Sequence, residues 1–202
     1  MSDVRQRIVM ATGNQGKLAE IRQLLADLPV EIVPQSDFDF EPAEEVGVTF
    51  AENAVLKARA ATVATGLIAI ADDSGIAVDA LDGRPGVRTA RYAGENATND
   101  ENVSKLLEEL EGVPAEKRGA AFHCVVAVTF PDPAREPLLV DGRWLGQIAQ
   151  QRHGDGGFGY DPVFYDPGLA KCAAEMAASE KNARSHRGQA FRKLVTQLDD
   201  LL

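Results

Sequence analysis

The chain has 202 residues, 45% of them hydrophobic and 26% charged, enough to bury a core without disulfide or metal staples. Its formal charge of −10 and the lack of any Lys/Arg block argue against a grip on a nucleic-acid polymer, whereas a small anion needs only a few local cations, a helix N-terminus or a metal. No run approaches the roughly 18 apolar residues of a membrane helix, so the expectation is a soluble cytoplasmic protein with no membrane partner, and Cys124 and Cys172 read as free thiols.

In chain order, Arg7 to Thr12 reads as a strand, Gly13 to Gly16 as a turn, and Lys17 onward as a helix. Leu18, Ile21, Leu24, Leu25 and Leu28 share one face of that helix before Pro29 stops it. Val30 to Val33 gives a second strand, followed by an acidic segment with Asp37, Asp39, Glu41, Glu44 and Glu45. Thr49 and Glu52 have capping-box spacing and open an alanine-rich helix ending near Gly66. Leu67 to Ala71 reads as a buried strand ended by Asp72, Asp73, Ser74 and Gly75, and residues 82–94 as a glycine-rich loop. Thr98 and Glu101 repeat the capping box ahead of a helix closed by Gly112 and Pro114. Ala120 to Phe130 and Leu138 to Trp144 predict an antiparallel pair about the Pro131-Asp132-Pro133 turn. Ala190, Phe191, Leu194, Val195, Leu198 and Leu201 mark a last helix. Early alternation of strand and helix with later hairpins predicts a single α/β domain over residues 1–202, with a mixed sheet and an inserted or appended lobe.

Several patterns could carry chemistry. Thr12-Gly13-Asn14-Gln15-Gly16-Lys17 lies between strand and helix, where glycines let backbone N–H groups approach phosphate and the helix dipole favours negative charge. It is not a Walker A loop, because Leu18 stands where that pattern needs Ser or Thr. Asp72 and Asp73 sit at the carboxyl end of a predicted strand, where ligands of open α/β sheets bind, and strand alternation turns only one of them inward. The inward one could hold magnesium or take a proton from water, with Glu44 or Glu45 as a second ligand. Gly156 to Asp161 joins mobile backbone to Phe158, Tyr160 and a carboxylate, a set able to stack and edge-read a base. Lys181, Ser185, His186 and Arg187, just before the predicted last helix, could reach phosphate or a purine carbonyl. Lys57, Arg59, Arg88 and Arg91 are further phosphate candidates, whereas His123 and Trp144 read as packing and His153 has no partner at metal spacing.

Taken in this order, ATGNQGK, AEEVG, TFAENAVLKA, IADDSG, GRPGVRTARYAG, GGFGYDPVF and EKNARSHRG resemble the inosine triphosphate pyrophosphatase family, from Ile8 to the final helix. The resemblance implies an elongated α/β fold in two lobes with the nucleotide site in the cleft between them. It also implies a homodimer and Mg²⁺-dependent cleavage of ITP, dITP and XTP between the α and β phosphates. Thr12, Gly13, Asn14, Gln15, Gly16 and Lys17 would cradle the triphosphate, Asp73 would be the essential carboxylate with Lys57 in the catalytic set, and Ser74 would contact substrate. Phe158, Gly159, Tyr160 and Asp161 would meet the nucleotide, with Phe158 against the base, and Lys181, His186 and Arg187 would complete the pocket. The metal would lie on Glu44 and Asp73, with the alignment able to slip to Glu45. A nucleotide sensor without turnover and a pyrophosphatase for pyrimidine nucleotides are the competing readings.

Overall fold

Among the described residues seven strands form one sheet: β1 (Gln6–Met10), β2 (Val30–Pro34), β3 (Ile68–Val78), β4 (Gly119–Thr129), β5 (Leu138–Ile148), β6 (Phe164–Asp166) and β7 (Lys171–Cys172). Their order is β2-β1-β3-β4-β5-β6-β7. β1 runs parallel to β2 and β3, while β6 is antiparallel to β5 and β7, so the sheet is mixed as expected. Among the described residues five α-helices accompany it: α1 (Gln15–Leu24), α2 (Phe50–Thr65), α3 (Asn99–Glu109), α4 (Ala178–Arg184) and α5 (His186–Leu198). The computed structural model describes residues 5–26 and 28–198, and Leu201 of the predicted last helix lies outside them. No described helix is long and apolar enough to cross a membrane.

By internal contacts the chain falls into two units, one of Met1–Asp73, Cys124–Asp141 and Arg187–Leu202, the other of Ser74–His123 and Gly142–His186. In the first, strand alternation sorts the core into two layers. Ile8, Met10, Ile68 and Ile70 turn toward Leu18 and Ile21 of α1 and Phe191 and Leu194 of α5. Val9, Ala11, Ala69 and Ala71 take the other cluster, against Ala54, Ala58 and Ala61 of α2. Both α2 and α3 start with the predicted capping boxes, Thr49 with Glu52 and Thr98 with Glu101. The second unit has its own core, where Val103, Leu106 and Leu110 join Ile76 and Val78 of β3 and the rings of Phe122, Trp144 and Phe164.

Four local expectations are corrected. β3 does not stop at Ala71 but runs on through Asp72, Asp73, Ser74 and Gly75 to Val78, because both carboxylates find cationic partners while the backbone stays extended. β5 extends past Trp144 to Ile148, and Trp144 packs in the middle of the strand. α1 begins at Gln15 rather than Lys17, since Asn14 caps it by accepting a hydrogen bond from the Lys17 N–H at 3.0 Å. Lys181 lies within α4, not in a lead-in to the last helix.

Candidate active site

β3 carries the alternation past its apolar half, so Asp72 continues the row of Ile68 and Ile70 and Asp73 that of Ala69 and Ala71. Asp72 therefore meets residues of α1 and α5: Lys17 Nζ lies 3.1 Å and Arg187 Nη2 3.2 Å from its Oδ2. Glu20 accepts from Arg187 Nη1 at 2.6 Å. Burial would raise the Asp72 carboxyl, but the charges of Lys17, Arg187 and Lys57 overcome it and hold the group far below the usual carboxylate range. Asp72 is a fixed anion that anchors two cations.

Asp73 faces α2 instead. Its Oδ1 accepts from Lys57 Nζ at 2.8 Å, and its Oδ2 from Asn53 Nδ2 at 3.4 Å. The same ammonium donates to Glu45 Oε1 at 2.8 Å, which ties the acidic segment to the cluster. That segment is further fixed where Gly47 N donates to Asn53 Oδ1 at 2.8 Å, an approach that a Cβ on Gly47 would block. Burial pushes the Asp73 carboxyl up, and Lys57 only partly opposes it, so the two neighbouring aspartates titrate in opposite directions. Lys57 itself is raised, its burial outweighed by Asp73, Asp72 and Glu45. Among the described residues no three His, Cys, Asp or Glu side chains gather as a metal cage. The donor set still fits magnesium, which takes one or two carboxylates and completes its shell with phosphate and water. The Lys57 ammonium, bridging Asp73 and Glu45, shows that a cation is accommodated between carboxylates at this position.

In the second unit Asp161 organises the glycine-rich loop. Its Oδ2 accepts from Phe158 N at 2.8 Å and from Lys181 Nζ at 2.6 Å, and that ammonium sits 4.8 Å from the centre of the Phe158 ring. Gly157 has φ +70°, and a Cβ there would overlap the Asp161 carboxylate. Tyr160 is buried and donates its hydroxyl to the Thr89 carbonyl at 3.0 Å. His186 is buried too, its imidazole stacked on Phe122 with centroids 4.6 Å apart and planes at 9°. This unit thus offers a half-buried aromatic ring with a lysine ammonium against it, a surface suited to a planar polar heterocycle.

The model of the Ham1 family matches residues 8–197. The chain belongs to the Ham1 family. It is 54% identical to the dITP/XTP pyrophosphatase of Yersinia pseudotuberculosis serotype I over 96% of this chain and 99% of that protein. Among solved structures it is similar to a HAM1 protein from Coxiella burnetii, with TM-score 0.89 and 48% identity over 96% of this chain and 99% of that one. The Ham1 protein of Staphylococcus aureus gives TM-score 0.85 at 40% identity, covering 98% and 100%.

In this Ham1 chain the structure gathers Lys17, Lys57, Asp72, Asp73 and Arg187 into one network of the first unit, with Thr12, Gly13 and Asn14 leading into α1, which Gln15 and Gly16 open. Arg187, expected with His186 toward the base, gives its guanidinium to Asp72 and Glu20. Tyr160 is buried with its hydroxyl on the Thr89 carbonyl, whereas Phe158 keeps a partly open ring. Of the acidic pair, Glu45 joins Lys57, whereas Glu44 is exposed. Ser74 is half-buried, and Gly159 lies in the loop with φ +61°. Arg59 is exposed, and Arg91 pairs with Glu95 at 3.7 Å. Sequence reasoning passed over Asn53, Glu20 and Phe122. Asn53 carried a signal, as a polar residue among the alanines that form the buried face of α2.

Proposed function

We propose that this chain hydrolyses dITP, ITP and XTP to the nucleoside monophosphate and pyrophosphate, as its relatives' name describes for dITP and XTP. The observation that carries the reading is the parting of two neighbouring aspartates: Asp72 holds Lys17 and Arg187, while Asp73 on the other face has Lys57 Nζ 2.8 Å from its Oδ1. One anchors cations for phosphate, and the other, its carboxyl pushed up by burial, is the group placed to take a proton from water.

The turn at Gly13 and the N-terminus of α1 at Gln15 and Gly16 receive the triphosphate, with Lys17 and Arg187 held by Asp72 as nearby positive charge. Asp73 orients the attacking water and accepts its proton, and Lys57 fixes the Asp73 carboxylate through Oδ1. Water attacks the α-phosphorus, the bond to the bridging oxygen breaks, and pyrophosphate leaves without a covalent enzyme intermediate. Magnesium would be held by Asp73 together with Glu44, whose carboxylate is exposed on the segment that Glu45 anchors to Lys57. When bound, it supplies charge neutralisation of the phosphates. Phe158 takes the base face, and Lys181 and His186 present donors to the carbonyl edge of hypoxanthine or xanthine. Adenine offers an amino group at the 6-position, and a site built of donors can reject such a mismatch by roughly 10⁴.

Hydrolysis of ITP in ¹⁸O-labelled water tests the cleavage position. Label in IMP is expected, and label in pyrophosphate overturns the assignment.

A further inference from the structure

Phe122 lies on β4, outside every motif that suggested chemistry, and its ring faces His186, the first residue of α5. A separation of 4.6 Å with planes 9° apart is an offset parallel stack, which covers a face of the imidazole and leaves its hydrogen bonding to the ring edges. The Phe122 ring is itself held. Phe164 lies 4.5 Å from it and Trp144 6.3 Å, and Trp144 and Phe164 touch at 4.8 Å. The Trp144 indole N–H donates to Asp166 at 2.8 Å, and Asp166 also accepts from Arg184 and from the backbone N–H of Gly168 at 2.8 Å. The rotation of a histidine ring about its outer torsion is otherwise broad and soft. We propose that Phe122 is a positioning residue for base selection, clamping the His186 imidazole in the plane from which it hydrogen-bonds the carbonyl edge of a deaminated purine. The proposal rests on the reading of His186 as a base contact. Its consequence is specific: loss of the ring should degrade the choice between ITP and ATP through KM, leaving kcat on ITP nearly unchanged, because the carboxylate cluster of the first unit is not touched.

The experiment compares Phe122→Leu with Trp144→Phe in the full-length chain. Both disturb the same aromatic cluster and both are expected to lower the melting temperature, but Trp144→Phe keeps the Phe122 ring under His186. Phe122→Leu is expected to raise KM for ITP and to reduce the ITP/ATP ratio of kcat/KM by about tenfold, the scale of one aromatic contact. The His186 ring protons, shielded by the phenyl face in the parent chain, should move downfield in that variant alone. Phe122→Tyr, which keeps the ring, should restore selectivity. If Phe122→Leu and Trp144→Phe lose selectivity equally, or if neither loses it while the histidine signals stay in place, Phe122 acts only as core. A parent chain that does not prefer ITP over ATP would instead overturn the proposed substrate.

Discussion

Exchanging Asp72 or Asp73 for asparagine should separate stability from catalysis at two adjacent positions. Asp72 lies within 3.1 Å of Lys17 Nζ and 3.2 Å of Arg187 Nη2, with a side chain that has no exposed surface. At an effective dielectric of about 20, each such pair is worth roughly 5 kcal/mol of Coulomb attraction before desolvation. Removing one partner of a buried pair costs about 3–5 kcal/mol, because the opposite charge stays buried. For a domain of this size that corresponds to a melting temperature roughly 6–20 °C lower. The pH dependence follows from the lowered carboxyl: its stabilisation is full above the ordinary aspartate range and is lost as pH falls through the folded-state value. The gap between the parent chain and Asp72→Asn should therefore be widest at neutral pH and close on acidification below about 4. Asp73 has the opposite sign. Its raised carboxyl stabilises the fold most at low pH and loses that contribution as pH rises through the folded value, and Lys57 keeps Glu45 as a partner, so at pH 7 Asp73→Asn should cost less stability than Asp72→Asn. The same variant should lose about 10²- to 10⁴-fold in turnover of ITP. Thermal melts at pH 7 and at about pH 2.5, with pyrophosphate release at pH 7, read both effects. Equal melting of the two variants, or near-normal turnover by Asp73→Asn, would refute the division of roles.

Other outcomes follow from the same geometry. Gly157→Ala places a Cβ against Asp161 at φ +70°, so it should release Phe158 and Lys181 and raise KM for ITP at least tenfold while α2 and its cluster stay intact, as measured by steady-state kinetics. Glu44→Gln should raise the magnesium concentration needed for half-maximal rate, whereas Glu45→Gln should chiefly lower the rate at saturating magnesium by loosening Lys57; magnesium titrations distinguish the two. A homodimer is expected in solution, drawing on exposed Val46, Val48 and Val63, and light scattering that returns a monomer at micromolar concentration would remove that expectation.

Local rules read much of this molecule. The capping boxes at Thr49 and Thr98 announce their helices, and period-2 alternation dictates that Asp72 and Asp73 part company. Local rules could not choose between them, because the deciding partners are remote: Arg187 comes from 115 positions away and Asn53 from 20. The same remoteness hid the continuation of β3, since Asp-Asp-Ser-Gly is turn chemistry until Lys17 and Lys57 supply counter-charges. β6 and β7 span three and two residues, too short for any periodicity, and α4 is a polar seven-residue helix without an apolar stripe. Phe158 and Tyr160 look alike in sequence. Only the Thr89 carbonyl, 71 residues distant, commits Tyr160 to the core.

The alanine layer between β3 and α2 sets how far Lys57 stands from Asp73. With Ala69 and Ala71 beneath Ala54, Ala58 and Ala61, the helix lies close enough for a lysine ammonium to reach Oδ1 at 2.8 Å. Added methyl groups there would not touch substrate, yet they would lift the helix and lengthen that contact. Selection on turnover should thus forbid volume at positions that a map of ligand contacts would mark as neutral, and engineers seeking a tighter core should leave this layer small.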